Sequence, residues 1–230
     1  MTDTPIALAV LDMAGTTVAD DGLVFAAFDA ACAAADIPAQ GPDHDRAVQY
    51  VIDTMGQSKI VVFRALLDDD EDRAQAANAA FERTYDDLID TGRAVPVDGA
   101  EIAIEKLRSA GVKVALTTGF STDTQQRLVD FLGWQHLTDL VLAPSPGVRG
   151  RPHPDLVLTA LMRLDVDDVR HVAVLGDTAN DILTGRRAGA AIVAGTLTGA
   201  HDADRLRAAG ATDIVDTVGD FADLLLGRTV

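Results

Sequence analysis

Five unbroken apolar runs, rich in β-branched residues, constrain the fold of this chain more than any other feature. Each run ends at a polar or glycine-rich position. None of them alternates between apolar and polar residues, as a strand with one exposed face does. We therefore expect strands buried on both faces of a parallel sheet, with a sixth, shorter run, "TDIVDT", at a sheet edge. The five runs are "IALAVLD", "VKVALTTG", "DLVLAP", "HVAVLGD" and "AAIVAGT".

Helical patterns alternate with these runs in the second half of the chain. A strand, a helix and a second parallel strand form a right-handed unit, and a series of such units builds a layered domain. We therefore predict an α/β fold with a Rossmann-like, doubly wound parallel sheet. The helical patterns are "GAEIAIEKLRSAG", "STDTQQRLVDFLGW", "HPDLVLTALMRLD" and "ANDILTGRRAGA".

The alternation fails once, because no strand pattern appears between the first run and about residue 112. The interval 19–93 contains only helical patterns, and "AVPVDGA" after it is typical of a linker. We predict an α/β core formed by residues 1–18 and 94–230, with residues 19–93 inserted as an all-helical cap domain. A cap over a core implies closure, with hinges near Val18–Asp21 and Ala94–Val97. The apolar stretch "FAAFDAACAAA" could serve a homodimer through the cap, although packing within the cap explains it equally well.

Composition points to a cytoplasmic protein without membrane contact. The first residues, "MTDTP", are polar and lack the basic and apolar regions of a signal peptide. The apolar runs are far shorter than the roughly 20 residues of a membrane helix. Cys32 is the single cysteine, which fits a reducing compartment, and we expect it to be a small core residue on a helix.

The charge balance restricts the partners. The formal net charge of −17 argues against nucleic acid and against an anionic membrane surface. An anionic small molecule would have to be attracted by a local feature, such as a metal ion, an arginine or a helix N-terminus. Most of the positive charge is arginine, since Lys59, Lys106 and Lys113 are the only lysines.

Carboxylates follow two of the predicted strands. Ligands of open parallel sheets bind at the carboxyl ends of the strands, where Asp12 and Asp177 lie. Two neighbouring carboxylates repel each other unless a cation lies between them, and such hard oxygen ligands suit Mg²⁺. Asp181 follows in "GDTAND" and could contact the metal's water shell or orient other groups. The alternative is that these acids only cap the helices that follow.

A hydroxyl and a guanidinium are candidates for binding a phosphoryl group. Thr118, at the end of "VALTT", combines a hydroxyl with backbone amides at a helix start, and Thr117 is its neighbouring alternative. In "GVRGRPHPD", Arg151 directly precedes a proline and is preferred over Arg149, although both could be solvated loop arginines. His153 in the same loop is a weaker candidate.

Several known site patterns are missing from the sequence. It contains neither a G-x-x-x-x-G-K-[ST] loop nor a G-x-G-x-x-G turn after the first strand. It also lacks a G-x-S-x-G nucleophile elbow and clustered His and Cys residues.

The motifs "DMAGTT", "TTG", "GRP" and "GDTAND" occur in an order and spacing that resemble the haloacid dehalogenase superfamily of aspartyl-nucleophile hydrolases. The resemblance implies that Asp12 attacks phosphorus to form an aspartyl-phosphate. It also implies that Mg²⁺ is held by Asp12, the Ala14 carbonyl and Asp177, and that Thr118 binds the phosphoryl group. Other residues expected at the substrate or phosphoryl group are Thr16, Thr117, Gly119, Met55 and Gly56, with Asp181 in support.

Two departures from the common pattern identify a branch of the superfamily. Most of its phosphatases have an acid where this chain has Ala14 and a lysine where it has Arg151. The combination resembles the phosphonatases, which carry a cap lysine that forms a Schiff base with a substrate aldehyde. The matching stretch here is "MGQSKI", with Lys59 as the lysine.

The chemistry of carbon–phosphorus cleavage agrees with this branch. The cleavage would expel a carbanion, and an iminium on the adjacent carbon accepts the electron pair as an enamine. Such a leaving group does not need the acid that Ala14 replaces. Arginine cannot substitute for Lys59, because its guanidinium stays protonated. The alternative is a surface lysine at a helix start.

The branch assignment also has departures, at Val62, Phe120 and Met13, where phosphonatases usually have His, Tyr and Trp. Another proton carrier would then serve Lys59, or the substrate would be another 2-oxoalkylphosphonate, or no Schiff base is used. The expected function is a Mg²⁺-dependent phosphonatase-like hydrolase. The alternatives are a phosphatase acting on a small phosphate monoester and a non-catalytic phosphate-binding domain.

Overall fold

The core is a six-stranded parallel sheet with the strand order β3–β2–β1–β4–β5–β6. The computed structural model describes residues 5–227. All five apolar runs form strands and "TDIVDT" forms the edge strand, which confirms the predicted doubly wound α/β fold. The strands are β1 (Leu8–Asp12), β2 (Lys113–Thr117), β3 (Leu140–Leu142), β4 (Val172–Gly176), β5 (Ile192–Thr196) and β6 (Asp213–Val215).

Both faces of the sheet are covered, which explains the unbroken apolar runs. Along β1, Ala9 and Leu11 belong to one apolar layer, and Leu8 and Val10 belong to the other. The first layer includes α5, α6 and α10, and the second includes α7, α8 and α9. These core helices are α5 (Ala100–Ser109), α6 (Thr122–Leu132), α7 (Asp155–Arg163), α8 (Ala179–Ala188), α9 (Ala203–Ala208) and α10 (Val218–Gly227).

The strand order places β1 between β2 and β4 at the centre of the sheet. Asp12 pairs in register with Thr117, and Leu11 pairs with Leu175. The chain leaves β1 toward β2 and β3, and later returns to β4 on the other side. The carboxyl ends of β1 and β4 therefore form the crevice in which such sheets bind their ligands.

Residues 19–93, the helical insertion, contribute four helices between β1 and β2, as predicted. Phe28 stacks on Phe63 with a ring separation of 6.2 Å, and Phe81 lies 6.1 Å from Phe63. Tyr85 continues this apolar cluster to Phe120 of the core, 4.4 Å away. The helices are α1 (Leu23–Ala34), α2 (Pro42–Asp53), α3 (Lys59–Leu66) and α4 (Glu71–Asp90). That the insertion is a separate cap domain stays a prediction.

Helix α1 uses its apolar face within the molecule. Leu23, Ala27, Phe28 and Cys32 are buried, and α1 packs along α4. Cys32 is thus a core residue, as expected. Since the single chain already covers this face, internal packing accounts for the apolar stretch, and the homodimer stays an untested prediction.

The two connections between the core and the helical insertion are neighbours. The Ala19 amide donates to the Val95 carbonyl at 2.9 Å, and the Val97 amide donates to the Thr17 carbonyl at 2.9 Å. Ala19, Val95 and Val97 lie within the predicted hinges and Thr17 directly precedes one, so a movement of the insertion would bend two hydrogen-bonded segments together. Within residues 5–227, no helix has the length and apolar character needed to cross a lipid bilayer.

Candidate active site

Arg151 organises the site at the carboxyl end of β1. Its Nη1 lies 2.6 Å from Asp12 Oδ1, and its Nε lies 2.8 Å from Asp181 Oδ1. Its Nη2 donates to Thr117 Oγ1 at 2.8 Å. Arg151 is only 5% exposed, so these three contacts are made almost entirely out of water. A planar guanidinium can satisfy three partners in one fixed arrangement, which a lysine ammonium on a flexible stem does less well.

Arg149 is placed differently. It pairs with Asp155 at 2.8 Å on the surface, outside the cluster around Asp12. The sequence preference for Arg151 over Arg149 thus agrees with the geometry. His153 lies outside the cavity that contains Asp12.

Three buried carboxylates meet beside this arginine. Asp12, Asp177 and Asp181 each offer an oxygen within 4.8 Å of the others. Burial raises the pKa of Asp12 above its ordinary value, and the Arg151 guanidinium opposes that rise. Burial, together with the Asp12 and Asp181 carboxylates, raises the pKa of Asp177 well above its ordinary value. One guanidinium does not neutralise three carboxylates, so the cluster favours a divalent cation.

Asp177 and Asp181 have different roles, because their carboxylate oxygens have different partners. Asp177 Oδ2 accepts from the Ala200 amide at 2.7 Å, whereas Asp177 Oδ1 is buried without a hydrogen-bond partner among residues 5–227. Both oxygens of Asp181 are engaged, one by Arg151 and the other by the amide and hydroxyl of Thr178. Asp177 is therefore the carboxylate with a free ligand atom. Asp181 positions Arg151 and caps α8.

The turn after β1 brings Ala14 to the cavity. The amides of Thr16, Thr17 and Val18 all donate to the Met13 carbonyl, which folds the chain tightly. Gly15 has a φ of +85°, and a Cβ on it would lie 2.5 Å from Asp177 Oδ2. The glycine of "DMAGTT" is thus required for the approach of the turn to Asp177. Asp12, Asp177 and the Ala14 backbone suit Mg²⁺, since all would offer oxygen.

The three candidate threonines are placed differently. Thr118 lines the cavity, with its hydroxyl accepting from the Phe120 amide at 3.2 Å. Thr117 does not line the cavity, because its hydroxyl accepts from Arg151 and lies 3.5 Å from the Leu11 carbonyl. It holds the guanidinium, and its expected contact with the substrate stays a prediction. Thr16 Oγ1 is buried without a hydrogen-bond partner in the described chain and does not line the cavity.

The loop before α3 rests directly on the core. Gly56 has a φ of +86°, and a Cβ there would lie 2.6 Å from Thr178 Oγ1. A Cβ on Gly119 would lie 2.5 Å from the Gln57 carbonyl. Asn180 Nδ2 donates to the Met55 carbonyl at 2.7 Å. The helical insertion is therefore closed on the core, and Met55, Gly56 and Gly119 all line the cavity. Their expected contact with the substrate stays a prediction.

Lys59 projects from the start of α3 into the same cavity as Asp12. Its Nζ lies 5.5 Å from the Phe81 ring centroid and 5.8 Å from that of Phe120. Burial lowers the pKa of Lys59 to about 8, opposed by the charges of Asp20 and Asp12. About a tenth of the amine is then neutral at pH 7, against about 0.03% at its ordinary value of 10.5. Lys59 is thus a partly buried residue of the cavity rather than a surface lysine.

Two residues of the site were not expected from the sequence. Asp20 lines the cavity from the first connection, and Asn180 holds the Met55 carbonyl from α8. Asn180 lies inside "GDTAND", so the motif marked its neighbourhood but not its contact with the helical insertion. Asp20 lies outside every motif, and no sequence signal identified it.

Comparison with known proteins identifies the family. The model of the haloacid dehalogenase-like hydrolases matches residues 6–189, which is most of the chain. This chain belongs to the haloacid dehalogenase-like hydrolases. The predicted superfamily, the predicted fold and the expectation of an enzyme are therefore confirmed, and the non-catalytic alternative is set aside.

The relatives of this haloacid dehalogenase-like hydrolase divide between two activities. The probable phosphatase IndB of Dickeya dadantii (strain 3937) is 27% identical over 93% of this chain and 90% of its own length. Phosphonoacetaldehyde hydrolase of Bacillus cereus (strain B4264) is 33% identical, but over only 42% of this chain. The match covers 37% of that relative, so the chain aligns with little more than a third of it.

Solved structures share the whole fold. A hydrolase from Pseudomonas syringae has a TM-score of 0.83 at 22% identity, covering 96% of this chain and 98% of its own. A phosphonoacetaldehyde hydrolase-like protein from Oleispira antarctica has a TM-score of 0.82 at 20% identity, covering 98% and 93%. At these identities the likeness extends to the fold alone.

Proposed function

We propose that this haloacid dehalogenase-like hydrolase cleaves the carbon–phosphorus bond of a 2-oxoalkylphosphonate, such as phosphonoacetaldehyde, through a Schiff base on Lys59. The observation that carries the proposal is the presence of the Lys59 amine in one cavity with the Asp12 carboxylate. Lys59 forms no ion pair within 4.0 Å among residues 5–227. Its nitrogen is therefore available to a carbonyl group.

The size of the cavity limits the substrate. Its volume is about 30 Å³ with the helical insertion closed, so the insertion has to move to admit even a small substrate, and a bulky one is disfavoured. A small substrate that carries its aldehyde close to its phosphorus can contact Lys59 and Asp12 together. Arg151 and Thr118 line the same cavity and offer a positive charge and a hydroxyl to phosphoryl oxygens.

Magnesium fits the carboxylates of the site. Asp12, Asp177 and the Ala14 carbonyl would hold the ion, and the unpaired Asp177 Oδ1 offers it a ligand atom. Bound there, the ion would neutralise charge between the nucleophile and the phosphoryl oxygens.

The residues of the chain divide the reaction between them. Lys59 first condenses with the substrate aldehyde to form an iminium. Asp12, held at one oxygen by Arg151, then attacks phosphorus, and the electron pair of the C–P bond moves into the iminium to give an enamine. The enamine carbon takes a proton from solvent, and water releases the aldehyde from Lys59 and phosphate from Asp12.

Ala14 fits this division of roles. It lines the cavity, and its side chain offers no acid to an alkoxide leaving group. An enamine leaving group carries its electron pair on nitrogen and needs no such acid.

A phosphatase acting on a small phosphate monoester is the second candidate. It is favoured by the probable phosphatase IndB, whose match extends over 93% of this chain. In that case Asp12, Arg151 and Thr118 keep their roles, and Lys59 serves only as a positive charge.

A substrate screen separates the two candidates. Phosphonoacetaldehyde and small phosphate monoesters are assayed with Mg²⁺ for phosphate release by wild type and Lys59→Arg. We expect turnover of the phosphonate by wild type and none by Lys59→Arg, which keeps the charge but loses the nucleophile. Equal activity of both proteins on every substrate they hydrolyse would refute the Schiff base and leave the phosphatase.

A further inference from the structure

Asp20 lies in the cavity but has no role in the reaction described above. It lines the cavity together with Lys59, Asp12, Arg151 and Asp177. Asp12 is the nucleophile, Asp177 is the carboxylate suited to the metal, and Arg151 stays protonated at neutral pH. Among the titratable groups that line the cavity in the described chain, Asp20 is therefore the one left to carry a proton.

Asp20 is held in place by the start of α1. Its Oδ1 accepts from the Val24 amide at 3.0 Å, and its carbonyl accepts from the Leu23 amide. The first connection therefore holds the Asp20 carboxylate at the cavity, and a purely structural role would consist of this helix-capping contact. Asp21 next to it is exposed and carries the same charge.

The proton affinities of the amine and the carboxylate approach each other. Burial raises the pKa of Asp20 to about 6, against the Val24 hydrogen bond and the Lys59 charge, with Asp21 adding to the rise. Burial lowers the pKa of Lys59 to about 8, opposed by Asp20, Asp12 and Asp177 and aided by Arg151. At the ordinary pKa values, the equilibrium constant disfavours proton transfer from Lys59 to Asp20 by about 10⁷-fold. At the shifted pKa values it disfavours the transfer by only about 100-fold.

Two other residues near Lys59 cannot exchange a proton with it as Asp20 can. Val62, one turn after Lys59 on α3, is apolar. The Tyr85 hydroxyl is buried without a hydrogen-bond partner among residues 5–227, and burial raises its pKa, with the Asp20 and Asp12 charges adding to the rise. A phenol with a raised pKa stays protonated and cannot accept a proton from the amine.

We propose that Asp20 is the acid–base partner of Lys59 during formation and hydrolysis of the Schiff base. This role rests on the proposed C–P bond cleavage. It supplies a proton carrier from the first connection rather than from the helix that bears Lys59.

The proton balance closes without a further reactant. The Lys59 ammonium gives a proton to the Asp20 carboxylate through one water, and the neutral amine adds to the carbonyl carbon of the substrate. One proton then moves from nitrogen to the former carbonyl oxygen, which gives a neutral carbinolamine. Asp20 returns its proton to the carbinolamine hydroxyl, which leaves as water while the nitrogen lone pair forms the iminium. The same steps in reverse release the aldehyde product.

The test compares Asp20→Asn with Asp21→Asn, which makes the same charge change at the exposed neighbour. The amide oxygen of Asp20→Asn can still accept from the Val24 amide, so the helix start is retained. Two quantities are measured with phosphonoacetaldehyde and Mg²⁺: kcat for phosphate release, and the rate at which borohydride traps an adduct on Lys59, read by peptide mass spectrometry. Thermal unfolding shows that each variant is folded.

We expect Asp20→Asn to lower kcat about 100-fold and the trapping rate at least about tenfold, with KM changed little. Asp21→Asn should match wild type in both quantities. Asp20→Glu, which restores the acid, should have a kcat at least about tenfold higher than that of Asp20→Asn.

Three results would overturn the role of Asp20 alone. They are wild-type trapping rates in Asp20→Asn, an equal loss in Asp21→Asn, and no recovery in Asp20→Glu. If wild type itself forms no adduct and releases no phosphate from phosphonoacetaldehyde, the proposed function fails and the role of Asp20 fails with it.

Discussion

Replacing Arg151 by Met tests whether the guanidinium holds the buried carboxylates together. The substitution keeps an unbranched side chain of similar reach and removes the contacts to Asp12, Asp181 and Thr117. Removing one partner of a buried ion pair costs about 3–5 kcal/mol, because an uncompensated charge stays buried. For a chain of 230 residues each kcal/mol lowers Tm by about 2–4 °C, so we expect a fall of about 6–20 °C without metal.

The matched control is Arg149→Met, in the same loop. Arg149 also pairs with a carboxylate, in a bidentate contact with Asp155, but the Arg149 side chain is exposed and water screens the pair. We therefore expect a Tm close to that of wild type.

The assay is thermal unfolding followed by circular dichroism, with a chelator and then with Mg²⁺. Added Mg²⁺ should recover part of the loss in Arg151→Met, because a cation between Asp12 and Asp177 compensates the charge that the arginine no longer balances. Equal Tm values for Arg151→Met and Arg149→Met in chelator would refute the argument that Arg151 neutralises this cluster.

Three further predictions concern closure, the amine and the metal. Gly56→Ala should lower kcat/KM about tenfold or more, because its Cβ would lie 2.6 Å from Thr178 Oγ1. Gly92→Ala is the control and should leave kcat/KM unchanged, because Gly92 also has a positive φ but has open space around it. Steady-state kinetics of both variants measure this, and equal kcat/KM values would contradict close docking of the loop. The rate of borohydride trapping on Lys59 should reach its maximum by about pH 8, because the neutral amine reacts and its folded-state pKa is lowered. A rise that continues beyond pH 10 would point to an ordinary lysine. Asp177→Asn should weaken Mg²⁺ binding about tenfold or more in isothermal titration calorimetry, since it removes the charge of the carboxylate whose Oδ1 lacks a protein partner; unchanged affinity would place the metal elsewhere.

The fold was predictable because a strand that is buried on both faces has an unbroken apolar sequence. Strands such as β1 and β4 pack on both faces, so their sequences are apolar without alternation. The edge strand β6 is shorter and only partly buried, and its sequence is correspondingly weaker. The division into layers also follows from the alternation of helix and strand after residue 100.

Contacts between the helical insertion and the core were less predictable. Lys59 could be singled out because it is the one lysine of the insertion. The contact of Asn180 with the Met55 carbonyl, however, joins residues 125 positions apart. The position of Asp20 depends on how the first connection bends toward α1. Such contacts depend on tertiary packing, which local sequence patterns do not encode.

The two threonines at the end of β2 illustrate the same limit. Thr117 and Thr118 are adjacent and chemically identical, so the sequence left both open for phosphoryl binding. The backbone directs the Thr117 hydroxyl to Arg151 and places Thr118 at the cavity. Adjacent side chains of a strand point to opposite sides, and only the fold decides which side contains the ligand.

The central claim is the covalent bond between Lys59 and the substrate, and borohydride trapping tests it most directly. Wild-type protein is incubated with phosphonoacetaldehyde and Mg²⁺, reduced with borohydride, digested and analysed by mass spectrometry. We expect an ethyl group on the Lys59 nitrogen, left by reduction of the iminium after the C–P bond has broken. An unmodified Lys59 in protein that has released phosphate from phosphonoacetaldehyde would contradict it.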